Sequence, residues 1–74
     1  MAEVVTATPT TVSLLRWLRR QVREPTAERE RLEAAIANDD PAEARRLVQR
    51  MAFNDAQRRH VERLLSEWER TASH

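Results

Sequence analysis

Glycine, cysteine, lysine and tyrosine are all absent from this chain of 74 residues. Without glycine it lacks the phosphate-binding loop, the dinucleotide fingerprint and the nucleophile elbow, because each of these motifs needs glycine at a tight turn. Without cysteine it has no disulfide, no zinc knuckle and no thiol nucleophile. We therefore expect no cofactor and no bound metal.

Long apolar runs are also missing. The longest run of large apolar residues holds two, as at Leu14-Leu15, so we expect no membrane span. The first residues show no basic segment followed by an apolar stretch, which predicts a cytoplasmic protein without a signal peptide. The composition, 41% hydrophobic and 34% charged, is typical of a small globular domain.

The apolar spacing predicts an all-α fold, a small bundle of three to four short antiparallel helices. Residues 1–9 have no helical period and are interpreted as a flexible N-terminal leader, and residues 10–72 as a single helical-bundle domain. The first helix is expected at about 11–24, because leucines recur there at helical spacing and Pro25 ends the pattern. A second, weakly apolar helix is expected at about 27–38, with Thr26 as its N-cap.

The sequence predicts a third helix at about 41–53 and a fourth at about 55–71. Asp40 before Pro41, with Glu43 three residues on from Asp40, is a typical helix start. Asn54 and Gln57 form a second possible capping box. On one straight helix the apolar stripes before and after Asn54 would point about 110° apart, so a break is favoured, although one bent helix stays open.

Residues suited to catalysis are few. His60 lies at the flank of the last apolar stripe and is interpreted as a boundary residue that packs its ring. Ser13 and Ser66 have no histidine and aspartate nearby in sequence to activate them. The pair Asp39-Asp40 is explained by a helix corner and cap. We therefore predict no catalytic residue and no enzyme activity.

Charge is strongly segmented although the net charge is only +1. Residues 12–23 carry four arginines and no acid, residues 24–43 carry a net charge of −5, and residues 44–74 carry +3. The first two segments meet at a tight turn. Their opposite charges favour either internal ion pairs between the first two helices or an exposed basic face on the first.

The first helix is a basic amphipathic helix whose arginines lie within an arc of about 100°, opposite the leucines. One tryptophan lies at the border between the two faces and is expected to anchor a partner. The candidate partner-binding residues are Arg16, Trp17, Arg19, Arg20 and Arg23. Trp68 continues an apolar stripe and is assigned to the core, and Phe53 is expected to close the bundle against the first helix.

Two functions remain open from the sequence. The first is a small helical adaptor, or a regulatory or accessory subunit, that binds another protein with an acidic or apolar groove. The alternative is a nucleic-acid-binding module in which the first-helix arginines contact phosphates, although the net charge of +1 and the lack of a basic recognition helix count against it. A homodimer is compatible with either function, because a core this small is marginal by itself.

Overall fold

The computed structural model describes residues 9–72, which form four helices: α1 (Pro9–Gln21), α2 (Ala27–Ala37), α3 (Pro41–Arg50) and α4 (Asp55–Ala72). Each helix packs antiparallel against the next, and α4 returns against α1, which closes a four-helix bundle. The predicted fold class is therefore confirmed. The predicted leader lies outside the described residues, except that Pro9 belongs to α1.

The helix ends differ from the predictions by a few residues. Helix α1 ends at Gln21, before the predicted end, and α3 ends at Arg50, because Met51 has an extended backbone (φ −82°, ψ 151°). The predicted capping box then opens α4: the Asn54 amide donates to Gln57 Oε1, and the Gln57 amide donates to Asn54 Oδ1, both at 2.8 Å. Residues 41–72 are therefore two helices and not one bent helix.

Helices α2 and α3 each begin with the N-cap side chain that the sequence predicted. Thr26 Oγ1 accepts a hydrogen bond from the Arg29 amide, and Asp40 Oδ1 accepts one from the Glu43 amide, each at 3.2 Å. Both contacts satisfy an amide that has no partner within its own helix.

Arginine side chains complete two helix C-termini, where glycine usually allows the chain to turn. The Arg29 guanidinium donates to the backbone oxygens of Val22 (3.0 Å) and Arg23 (3.1 Å), just after α1. The Arg58 guanidinium donates to the Met51 oxygen (3.0 Å), just after α3. In both turns an arginine from the following helix reaches back seven residues to a carbonyl group. These contacts offset the absence of glycine.

The turn between α2 and α3 requires one residue with a left-handed backbone, and Asp39 fills it at φ 55°. Aspartate tolerates this conformation better than most residues other than glycine. Its side chain also accepts a hydrogen bond from Trp68 Nε1 at 2.8 Å. Because Trp68 is 1% exposed, this bond satisfies a buried indole and ties the turn to α4.

The core lies along the bundle axis and takes side chains from all four helices. The predictions for Trp68 and for Phe53 are confirmed, since Phe53 packs against the core with its ring centroid 5.2 Å from that of Trp17 on α1. The fully buried large side chains are Leu14, Leu18, Leu32, Val48, Val61, Leu65 and Trp68.

Candidate functional site

The four arginines of the first segment lie on the outer surface of α1 and in the turn after it, and all are exposed. Arg19 is paired: its Nε donates to Glu33 Oε2 on α2 at 3.2 Å, while its side chain stays 58% exposed. Glu33 also lies 3.2 Å from Arg29 Nε within α2. The expected pairing between the basic and acidic segments is thus present for one arginine of the four.

The other three arginines of this face are Arg16, Arg20 and Arg23. Within residues 9–72 none of their side chains has an ion pair or a hydrogen bond to another side chain. Arg16 and Arg20 are four residues apart on the helix, as are Arg19 and Arg23 along the chain, and like charges at this spacing repel. The face therefore carries positive charge that the described protein does not neutralise.

Trp17 does not lie on this face, which corrects the expectation that it anchors a partner. It is 6% exposed and belongs to the core. Its ring centroid lies 5.2 Å from that of Phe53 and 5.6 Å from that of His60. The helical projection placed Trp17 at a border because it considered α1 alone. Since α1 packs against both α2 and α4, the arc that becomes buried is wider than the leucine stripe.

An open groove of about 470 Å³ runs between α1 and α2, beside the arginines. Val12 lines this groove. Its side chain is 38% exposed, whereas the other large apolar side chains between Pro9 and Ala72 are buried or half-buried. The sequence analysis missed this groove. Its signal was the small side chains on the outer surface of α2, Ala34 and Ala37, which let the two helices leave a depression. The lining residues are Thr11, Val12, Leu15, Arg19, Glu30, Glu33, Ala34, Ile36, Ala37 and Asp39.

A charged cluster that the sequence did not predict joins α3 to α4. The Arg45 guanidinium donates to Glu62 and, through Nε (2.9 Å) and Nη2 (3.1 Å), to Glu69. The hydrogen bond to Glu69 raises the pKa of Arg45, and the same bond lowers the pKa of the Glu69 carboxyl. All three groups are partly exposed and engaged with each other, so the cluster holds two helices together and leaves no free acid or base.

His60 packs its ring against Trp17, as interpreted from the sequence, and its Nδ1 lies 3.3 Å from Arg63 Nη2. In the part of the chain that the structure describes, no three acidic, histidine or cysteine side chains are close enough to hold a metal ion. None of the helices between Pro9 and Ala72 combines the length and apolar character needed to cross a bilayer.

Comparison of the chain with models of protein families, with curated proteins and with solved structures finds no match. The residues and their geometry are therefore the basis for a functional proposal.

Proposed function

We propose that this chain is a non-enzymatic protein-binding module, an adaptor or an accessory or regulatory subunit, that docks on an acidic protein surface through α1. The observation that carries the proposal is the set of exposed arginines, Arg16, Arg20 and Arg23, which have no ion pair within residues 9–72. An acidic partner would relieve their mutual repulsion, and the planar guanidinium is well suited to bind carboxylates with two hydrogen bonds.

The groove beside these arginines supports the same function. Protein interfaces combine an apolar centre with a polar rim. Here Val12, Leu15 and Arg19 line the groove on its α1 side, and Arg16 and Arg20 lie on the exposed surface of the same helix. Trp17 has no part in the proposed interface, because it is buried.

A pull-down with the tagged chain tests the proposal. We expect one stoichiometric protein to bind the wild type and to be lost with R16A/R20A/R23A. The matched control is R31A/R59A/R70A, which removes the same charge from three exposed arginines elsewhere on the surface. Equal retention by both variants would contradict the assignment of this face.

Phosphate binding by the same three arginines is the second candidate. Retention of the chain on immobilised DNA or RNA would then fall steeply with salt, because each arginine–phosphate contact releases counterions. Salt-dependent retention that R16A/R20A/R23A abolishes, without any protein partner, would favour this function over the first. Absence of binding at low salt would remove it.

A further inference from the structure

The groove between α1 and α2 has two sides of opposite charge. Its α1 side carries Arg19, and Arg23 follows four residues later in the adjoining turn. Its α2 side carries Glu30 and Glu33. The centre is lined by Val12, Leu15, Ile36 and the two small alanines Ala34 and Ala37. The surface is thus divided along its length into a basic half and an acidic half with apolar residues between them.

Such a surface is complementary to itself. In a two-fold symmetric dimer the same patch is used on both copies, so every contact from one residue to another occurs twice. A patch of one charge would repel its own copy, whereas a patch with a basic half and an acidic half attracts it when the halves are brought opposite each other.

We propose that the groove is occupied by a second copy of this chain, related by a two-fold axis parallel to the groove. This proposal goes beyond the proposed function, because the contacts of the second copy involve the groove with Arg19 and Arg23, and not Arg16 or Arg20. Rotation about that axis places α1 of one copy opposite α2 of the other, so basic sides meet acidic sides. A two-fold axis across the groove would place α1 opposite α1, and the arginines would then face each other.

The levels of the residues along the groove define the contacts. The hydrogen bond between Arg19 and Glu33 shows that these residues lie at the same height. An axis parallel to the groove preserves height, so Arg19 and Arg23 approach Glu30 and Glu33 of the partner subunit. Val12 approaches the partner's Ala37, because Val12 precedes Arg19 on α1 and Ala37 follows Glu33 on the antiparallel α2, so that both lie on the same side of the Arg19–Glu33 contact. A branched side chain thus meets a small one.

The size of the face predicts a weak dimer. Helix α1 is about 20 Å long, and two packed helices present a face roughly 20 Å wide. A face with these two dimensions is smaller than the roughly 800 Å² that each partner buries in a standard interface. The dimer is therefore expected to dissociate on dilution, and the measurement must extend from low micromolar to millimolar protein.

Sedimentation equilibrium of the full chain tests the proposal. We expect a monomer–dimer equilibrium whose dissociation constant rises at least about tenfold with V12R, because a charge then enters the apolar centre. The control is S66R, which adds the same charge at an exposed position of α4 that is not part of the groove lining. Circular dichroism of both variants verifies that the helices remain formed.

Charge exchange tests the direction of the axis. R23E places a carboxylate opposite Glu30 of the partner subunit, and E30R places a guanidinium opposite the partner's Arg23, so each variant alone should dimerise less than the wild type. An equimolar mixture should associate again, since an acid then meets a base at both symmetry-related contacts. If the mixture stays as weakly associated as the separate variants, α1 does not lie opposite α2.

Other results would overturn the proposal and leave the proposed function testable by itself. A chain that is monomeric throughout, but whose pull-down partner is lost with R16A/R20A/R23A, would retain the protein-binding function and exclude self-association. A monomer that becomes a dimer only when residues 1–8 are deleted would assign the groove to the N-terminal segment. A dimer that V12R leaves unchanged would place the interface elsewhere.

Discussion

The two helical hairpins of this bundle, α1–α2 and α3–α4, have turns of similar design but surfaces of different character. In each turn the N-cap is a polar side chain, and an arginine from the second helix donates to a carbonyl group seven residues earlier. The two hairpins differ in the contacts between the charged side chains of their two helices.

In α3–α4 one arginine is shared by two carboxylates, since Arg45 bridges Glu62 and Glu69, which lie about two turns apart on α4. Between α1 and α2 a single ion pair joins Arg19 to Glu33, and the groove separates the exposed parts of the two helices. The Arg45 ion pairs therefore hold the helices of the second hairpin together, although Arg50, Arg59 and Arg70 stay exposed there, as most arginines of α1 do. The net charge of each hairpin does not reveal this difference, because the difference depends on which charged side chains form ion pairs.

The largest expected effect comes from the core of the second hairpin. Trp68→Ala removes a side chain that is 1% exposed and its hydrogen bond to Asp39, and we expect it to lower the free energy of unfolding by about 3–5 kcal/mol. A domain of this size has little more than that to lose. The variant should therefore be largely unfolded without denaturant.

The comparison is with Leu15→Ala, which truncates a half-buried residue beside the groove. We expect a loss of about 1 kcal/mol, since much of that side chain is already in contact with water. Urea titrations followed by circular dichroism, at a concentration where the chain is monomeric, measure both variants. Equal losses would show that the first hairpin is packed as tightly as the second.

Local signals were sufficient to predict most of the fold. Each of these signals acts within a short segment of the chain, and the observed helices agree with them. They are the leucine spacing, Pro25, Asp40-Pro41 and the Asn54–Gln57 pair. Contacts between helices were not predictable in this way. The spacing of Glu62 and Glu69 indicates one face of α4, but the arrival of Arg45 depends on how α3 packs.

The candidate site shows the same limit. The exposure of Arg16 and Arg20 follows from the projection of α1 alone, since they lie opposite its leucines. The burial of Trp17 does not, because it requires a second neighbour, α4, to cover the border of the stripe. To predict the groove, one would also need to know how far apart α1 and α2 lie.

A smaller effect is expected from the arginines that complete the turns. Arg29→Ala and Arg58→Ala each leave backbone oxygens without a protein donor, and we expect losses of about 1–2 kcal/mol. Arg29 should matter more, because it donates to two carbonyl groups and its side chain is only 16% exposed. Urea midpoints give the values.

The matched controls for these turns are Arg31→Ala and Arg59→Ala, which remove exposed arginines from the same helices and should cost less than about 0.5 kcal/mol. If the controls lowered stability as much as Arg29→Ala and Arg58→Ala, net charge and not the carbonyl contacts would explain the losses. The similarity between the two turns would then have no energetic meaning.

The smallest expected effect tests the charged cluster of the second hairpin. Glu69→Gln should lower the free energy of unfolding at pH 7 by less than about 1 kcal/mol, because the pair is partly exposed. The hydrogen bond from Arg45 holds the pKa of the Glu69 carboxyl below its ordinary value of 4.5. The carboxylate therefore stabilises the fold above that value, and the stabilisation is lost as the pH falls through the lower pKa of the folded state.

The difference between wild type and Glu69→Gln should consequently disappear in strong acid, which urea titrations at pH 7 and at pH 2 would measure. In an Arg45→Met background the effect of Glu69→Gln at pH 7 should be smaller, because the hydrogen bonds from Arg45 are absent. A pH-dependent difference that is undiminished in that background would mean that Glu69 acts through another group. The second hairpin would then not be closed by the Arg45 cluster, and its contrast with the open face of α1 would rest on the groove alone.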